Sequence, residues 1–149
     1  YSLGPVEIIQ AMKKLQSQST SNPCSISQAA AVEALSGEQK CVAKMVVEFK
    51  KRHDFVVEKL NSIPGIHCLE SEGAFYSFFS IEELISKTDK FQNDLEFTEF
   101  LINDAKIALI PGSAFGMPNH LRLSFATSME NLQIALDRLN NAVISLGIE

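Results

Sequence analysis

The most regular pattern of apolar and polar positions lies between residues 42 and 60. Positions of one stripe recur three and four residues apart, and charged side chains fall largely between them. The stripe consists of Val42, Met45, Val46, Phe49, His53, Val56, Val57 and Leu60. Such spacing is typical of a long amphipathic helix. We predict this helix to end at Pro64 and Gly65.

Two shorter helices are predicted before the long one. Pro5 suits a first helical position, and apolar residues then recur at helical spacing. These apolar residues are Val6, Ile9, Met12 and Leu15. A polar loop leads from there to an alanine-rich helix over residues 25–35.

Beyond Gly65 the apolar positions alternate instead. Residues 65–71 (GIHCLES) and 74–80 (AFYSFFS) are predicted strands separated by a turn. Residues 81–87 are predicted to form a short helix. Asp94 is predicted to cap a further helix through Ala105, and residues 107–110 (IALI) to form a short buried strand.

The last predicted elements are a strand within residues 119–128 (NHLRLSFATS) and a closing helix. The helix is predicted to start at a T-x-x-E capping box of Thr127 and Glu130. The order of all the elements predicts an α/β or α+β chain in which helices cover one face of a small sheet.

The strand within residues 119–128 carries an arginine among apolar residues. Leu121, Leu123 and Phe125 alternate, so they share one face, and Arg122 and Ser124 share the other. A guanidinium is always charged and is costly to bury alone. It therefore meets a carboxylate of the protein, water, or the carboxylate of a ligand. Its planar fork suits a carboxylate because it can donate two parallel hydrogen bonds.

A glycine- and proline-rich loop over residues 110–120 (IPGSAFGMPNH) precedes this strand. Glycines there permit positive φ and a close approach of the backbone to a neighbour. The loop contains neither of the common phosphate-binding glycine patterns. It is predicted to be a tight connection between two strands that delivers Arg122.

The composition limits the class of partner. The 149 residues carry a formal net charge of -5, with 46% hydrophobic and 21% charged residues, as in an ordinary globular domain. The negative charge gives no support for nucleic acid or an anionic membrane as a partner, and no apolar run is long enough to predict a membrane span.

The cysteines and histidines predict neither disulfides nor a metal site. Three cysteines, without C-x-x-C spacing, are expected to be passive thiols packed in or near the core of a cytoplasmic protein: Cys24, Cys41 and Cys68. His53 is predicted to be a core or interface residue. His67 and His120 have no cysteine or acid at the spacing of metal ligands.

Four segments resemble a known family. They are TSNPCSISQAAAVEAL (residues 20–35), EGAFYSF (72–78), PGSAFG (111–116) and LRLSFA (121–126). In this order and spacing they closely resemble the C-terminal part of class I aminotransferases. These are pyridoxal-phosphate (PLP) enzymes of fold type I, and the likeness is strongest to bacterial aspartate aminotransferases.

The resemblance implies roles for three residues. Arg122 would bind the α-carboxylate of the substrate, Phe75 would form a wall of the substrate pocket, and Asn22 would lie in a loop near the dimer interface. The substrates would be an amino acid and a 2-oxo acid, and the full-length enzyme a homodimer that binds pyridoxal 5'-phosphate.

The resemblance also implies a domain organisation. Residues 1–35 would be a remnant of the large PLP-binding domain, residues 36–64 a long interdomain helix, and residues 65–149 the small domain that closes over substrate. This small domain would be a mostly antiparallel sheet covered by helices. The family's Schiff-base lysine is expected upstream of Tyr1, so no catalytic residue is assigned in this chain, which is expected to be inactive alone.

Two alternatives remain open. One is an aromatic or kynurenine-type aminotransferase. In animal-type members of the family that the chain resembles, an arginine just before the SNP loop binds a second substrate carboxylate, and no arginine precedes residues 21–23 here. The other is a non-catalytic binding module that uses the small-domain fold.

Overall fold

The computed structural model describes residues 1–148, which divide into two compact units. The first unit is Tyr1–Cys41, and the second begins at Val42. The first contains α1 (Val6–Ser19) and α2 (Ser25–Ser36), both at the predicted positions. No residue of either helix is buried.

The long helix α3 (Lys40–Asn61) confirms the prediction from the apolar stripe, although it ends before Pro64. Only the C-terminal part of the stripe enters the core of the second unit, where Val56, Val57 and Leu60 are buried. Met45 and Val46, two turns or more earlier, are exposed.

A four-stranded sheet forms the centre of the second unit. Its strands are β1 (His67–Cys68), β2 (Tyr76–Ser80), β3 (Ile110–Pro111) and β4 (His120–Ser124). They lie in the order β1-β2-β4-β3, and every pair of neighbours is antiparallel. The prediction of a small, mostly antiparallel sheet with helices is confirmed.

The helices of the second unit supply the rest of its core. After α3 come α4 (Glu82–Ser86), α5 (Asp94–Phe100), a π-helical turn (Leu101–Ala105) and α6 (Met129–Ser145). The largest fully buried side chains come from both helices and strands: Phe79, Phe97, Phe125, Leu60, Ile66, Ile81, Leu84, Leu101, Leu121, Leu132, Leu136 and Leu139.

Two predicted strands are shorter than expected. In β1 the Asn61 side chain donates to the Cys68 carbonyl (2.9 Å) and accepts from the Cys68 N–H (2.8 Å), and the chain then leaves the sheet. Of residues 107–110, only Ile110 joins a strand, although Ile107 and Leu109 are buried.

Both predicted helix caps are displaced by one residue. Asn93, not Asp94, caps α5, because its side chain accepts from the Glu96 N–H (3.0 Å). At α6 the cap is Ser128, whose hydroxyl accepts from the Asn131 N–H (3.1 Å), so the capping box of Thr127 and Glu130 was a wrong prediction.

The cysteine prediction holds for one residue of three. Cys68 is buried, whereas Cys24 and Cys41 are exposed, so for these two the prediction was wrong. Cys24 precedes α2, which buries no residue, and Cys41 lies in the exposed first turn of α3. All three are free thiols.

Candidate functional site

Arg122 lies on the face of the sheet opposite the core. Along β4, Leu121 and Leu123 are buried, Arg122 is half-buried and Ser124 is exposed. The predicted alternation is therefore confirmed. Antiparallel pairing places Phe78 of β2 and Ile110 of β3 on either side of Arg122.

Two aromatic rings flank the Arg122 guanidinium. Its Cζ atom lies 4.8 Å from the centroid of Phe115 and 5.3 Å from that of Tyr76. A guanidinium at this distance is attracted to the negative face of the ring. We call Tyr76 and Phe115 the aromatic clamp.

No ion pair within residues 1–148 involves Arg122. Tyr76 and Phe115 contact the guanidinium with the faces of their rings. Ring faces do not take up the N–H donors that lie in the plane of the guanidinium. The arrangement therefore combines a fixed positive charge with N–H donors that form no ion pair with a carboxylate of residues 1–148. Such a group can bind a carboxylate in a bidentate manner.

More aromatic rings extend this face of the sheet. His120 stacks on Phe78 with ring centroids 5.4 Å apart, and its Nδ1 lies 2.9 Å from the Pro118 carbonyl oxygen. Phe78 also meets Phe115 edge-on, at 6.2 Å. The surroundings of Arg122 are thus largely aromatic on one side.

A buried carboxylate holds the turn that carries Phe115. Ser113 and Phe115 belong to a 3-10 turn (Gly112–Phe115). Asp94 is fully buried and accepts two hydrogen bonds from Ser113, one from the N–H (2.7 Å) and one from the hydroxyl (2.5 Å). Burial is the largest single influence and raises the pKa of Asp94, but hydrogen bonds from Ser113 and from the backbone of Asp94 and Asn119 together leave the pKa below its ordinary value.

Phe75 lies at a cavity rather than beside Arg122. The cavity has a volume of about 700 Å³ and is bounded by α3, residues 70–75 and Phe125. Its apolar lining comes mainly from Met45, Val46, Phe49, Phe75 and Phe125. The ring of Phe75 meets that of Tyr76 edge-on at 5.7 Å, so Tyr76 links Phe75 to Arg122.

His53 connects α3 to the loop before Phe75. Its side chain is 12% exposed, and its Nε2 accepts a hydrogen bond from the Ser71 N–H (3.1 Å). Nδ1 lies 3.0 Å from Asp54 Oδ1, and the ring meets Phe125 edge-on. The expectation of a core or interface histidine agrees with this largely buried position.

Asn22 belongs to the first unit. It lies in the exposed connection between α1 and α2, next to Ser21, whose φ of 59° is left-handed. Arg122 and Phe75, in contrast, belong to the second unit.

The sequence reasoning missed four residues of this site: Tyr76, Asp94, Ser113 and Phe115. Alternation along β2 indicates that Tyr76 shares a face with Phe78, but only the pairing with β4 brings it to Arg122. Asp94 was interpreted as a helix cap. Nothing in the order of residues 110–116 indicates that Phe115 turns back over the guanidinium.

Two further features, a metal-binding cluster and a membrane-spanning helix, do not occur within residues 1–148. No group of three or more His, Cys, Asp or Glu side chains is arranged so that it could hold a metal ion. None of the helices in this part of the chain is both long enough and apolar enough to cross a membrane.

Comparison with known proteins gives one family. The family model described as aminotransferase class I and II matches residues 1–139. The chain is 49% identical over 144 residues to the aspartate/prephenate aminotransferase of Nitrosomonas europaea, covering 93% of this chain and 36% of that protein.

Solved structures agree. The aspartate aminotransferase of Rhizobium meliloti superposes with a TM-score of 0.88 at 42% identity, covering 96% of this chain and 37% of that one. The aromatic aminotransferase of Pyrococcus horikoshii gives 0.84 at 32% identity, covering 95% and 37%. The chain thus spans little more than a third of the length of these relatives. From sequence and fold together, this chain belongs to the class I and II aminotransferase family.

Proposed function

We propose that this chain is the substrate-carboxylate-binding, C-terminal part of a PLP-dependent aminotransferase that acts on aspartate. The longer protein would transfer the amino group of the amino acid to a 2-oxo acid. The names of the relatives from Nitrosomonas europaea and Rhizobium meliloti support aspartate as the donor.

The observation that carries the proposal is the environment of the Arg122 guanidinium. Its guanidinium is half-buried, lies between two rings, and has no ion-pair partner within residues 1–148. A guanidinium held in this way keeps its fork of N–H donors available for two parallel hydrogen bonds to a carboxylate. The α-carboxylate of an amino acid would accept them, and the fork would orient the substrate as it binds.

The residues of this chain do not fit a complete cofactor site. Nine of the ten lysines are exposed, including Lys13, Lys14 and Lys40, and the half-buried Lys59 lies over the Phe55 ring at 5.9 Å. We therefore propose that pyridoxal 5'-phosphate, which the family implies, is held by other parts of the longer protein. The 149-residue chain alone is expected not to catalyse amino transfer.

The remaining expectations are part of the same proposal. Phe75 would form a wall of the substrate pocket, and Asn22 would lie near the interface of a homodimer. Residues 1–35, 36–64 and 65–149 would be the large-domain remnant, the interdomain helix and the small domain. The three free thiols agree with a cytoplasmic location.

An aromatic amino acid is the second candidate substrate. The face around Arg122 is rich in aromatic rings, including Tyr76, Phe78 and Phe115, and a related solved structure is named an aromatic aminotransferase. These rings could contact an aromatic substrate side chain as readily as they flank the guanidinium.

The test is an activity assay of the purified longer protein. L-aspartate, L-phenylalanine and L-kynurenine are compared as amino donors, with 2-oxoglutarate or prephenate as acceptor. We expect the highest kcat/KM with aspartate. A higher value with either aromatic donor would support the second candidate, and no transfer from any donor would instead indicate a non-catalytic binding module.

A further inference from the structure

We propose that Asp94 and Ser113 are positioning residues for Arg122, acting through the ring of Phe115. The inference rests on the proposed function, because it assumes that Arg122 binds the substrate carboxylate. Asp94 and Ser113 would act on Arg122 through Phe115, without contacting substrate themselves. The path runs from a buried carboxylate, through one turn, to the guanidinium.

The first step is the anchor. Asp94 lies in the first turn of α5 and is fully buried, so an uncompensated charge there would be costly. Both of its oxygens are used by Ser113, which donates its N–H to Oδ2 (2.7 Å) and its hydroxyl to Oδ1 (2.5 Å). Two bonds to one carboxylate fix both the position and the orientation of Ser113.

The second step is the rigid turn between Ser113 and Phe115. The Gly116 N–H donates to the Ser113 carbonyl (3.1 Å), and the Met117 N–H donates to the Gly112 carbonyl (3.0 Å). A Cβ atom at Gly112 would overlap the Met117 carbonyl oxygen and lie 2.7 Å from the His120 Cβ. The turn is therefore packed directly against the start of β4, so a fixed Ser113 also fixes Phe115.

The third step is the contact with the guanidinium. Phe115 lies 4.8 Å from the Arg122 Cζ and is itself held against Phe78. Tyr76 flanks the same guanidinium at 5.3 Å. Contacts with both rings restrict the rotamers that Arg122 can adopt before substrate arrives. A fork that is already oriented loses less conformational entropy when it binds a carboxylate.

The experiment measures steady-state kinetics of the longer protein with L-aspartate. Ser113→Ala removes one bond to Asp94 and is milder than removal of the carboxylate, and Phe115→Leu removes the ring. We expect each to raise KM roughly three- to tenfold with kcat within about twofold, because binding through Arg122 contributes to both the substrate and the transition-state complex. Ser113→Thr and Phe115→Tyr keep the hydroxyl and the ring, and are expected to restore the wild-type KM.

A double variant tests whether the residues act along one path. If Ser113 acts through Phe115, Ser113→Ala has little further effect on KM when Phe115 is already leucine. Additive effects of the two substitutions would overturn the inference, as would unchanged KM values in both single variants. Equal losses in the Thr and Tyr variants would also overturn it, since they would indicate a structural defect only.

Arg122→Ala is measured in parallel to separate the two claims. If Arg122→Ala also leaves KM and kcat unchanged, the proposed function fails. If Arg122→Ala lowers kcat/KM strongly while Ser113→Ala and Phe115→Leu do not raise KM, only the positioning inference fails.

Discussion

At the scale of single residues, the site depends on what surrounds one guanidinium. Arg122 has no ion-pair partner within residues 1–148, and its guanidinium lies over the rings of Tyr76 and Phe115. Aromatic faces attract the cation without neutralising it. The charge therefore stays available to an anion while the side chain is held in place.

Gly112 is the residue where packing beside this site leaves no room for a side chain. We expect Gly112→Ala to lower the free energy of unfolding by about 1–3 kcal/mol, because its Cβ would overlap the backbone of Met117 and crowd His120. Denaturant unfolding of the full chain measures the change. Gly73→Ala is the matched control, since a Cβ there meets nothing within 4 Å; equal losses in both variants would contradict this account.

Predictions for single residues succeed where the two-residue alternation of a strand alone determines which face of the sheet a side chain occupies. Alternation alone assigned Arg122 to the face opposite Leu121 and Leu123, and the structure agrees. The clamp was not predictable in this way. Phe115 contacts Arg122 because the 3-10 turn Gly112–Phe115 brings its ring over β4. The spacing of apolar residues along the sequence does not predict such a contact.

At the scale of elements, the ends of helices were predicted less well than their existence. A cap is chosen by backbone geometry at one residue, and two adjacent polar residues can both satisfy the sequence rule. Asn93 and Asp94 are such a pair, and so are Thr127 and Ser128. Because Asn93 caps α5, the Asp94 carboxylate is available to accept the hydrogen bonds from Ser113.

The cap of α6 gives a direct test. We expect Ser128→Ala to destabilise the full chain by about 1 kcal/mol, because the Asn131 N–H loses its acceptor. Thr127→Ala should cost less, since Thr127 accepts only from the Asn131 side chain (3.1 Å). Thermal or denaturant unfolding measures both; a larger loss for Thr127→Ala would restore the capping-box interpretation.

The anchor between α5 and the 3-10 turn predicts a pH dependence. The pKa of Asp94 is lowered in the folded state, so the unfolded state binds the proton more readily. Asp94 thus stabilises the fold above its unfolded pKa of about 3.9, and this contribution is lost as the pH falls through the lower, folded pKa. We therefore expect the difference in unfolding free energy between the wild type and Asp94→Asn to decrease below about pH 4, as measured by denaturant unfolding over a series of pH values. A difference that widens on acidification would contradict the assignment.

At the scale of the whole molecule, the two units bury very different shares of their residues. The apolar period of α1 and the alanine-rich run of α2 predict helices and the structure confirms both, yet no residue of either helix is buried. Sequence periodicity identifies an apolar face but does not identify what covers it. For the same reason, the stripe of α3 predicted a helix and did not reveal that Met45 and Val46 are exposed.

These uncovered residues predict association of the isolated chain. Leu15, Ile26 and Val32 are 74%, 78% and 64% exposed, and together they offer apolar surface that water covers poorly. We expect concentration-dependent self-association in sedimentation velocity, reduced by changing all three to serine. Leu69→Ser, in the second unit and 87% exposed, is the matched control. A monomer at high micromolar concentration would refute the prediction.

The most direct test of the central claim is the kcat/KM of Arg122→Ala in the longer protein, measured with its best amino donor. Loss of a charged, bidentate pair with the substrate carboxylate should cost about 3 kcal/mol of transition-state binding, which corresponds to roughly a hundredfold decrease in kcat/KM. A variant that retains more than about a tenth of the wild-type kcat/KM would contradict the assignment of Arg122 as the carboxylate-binding residue.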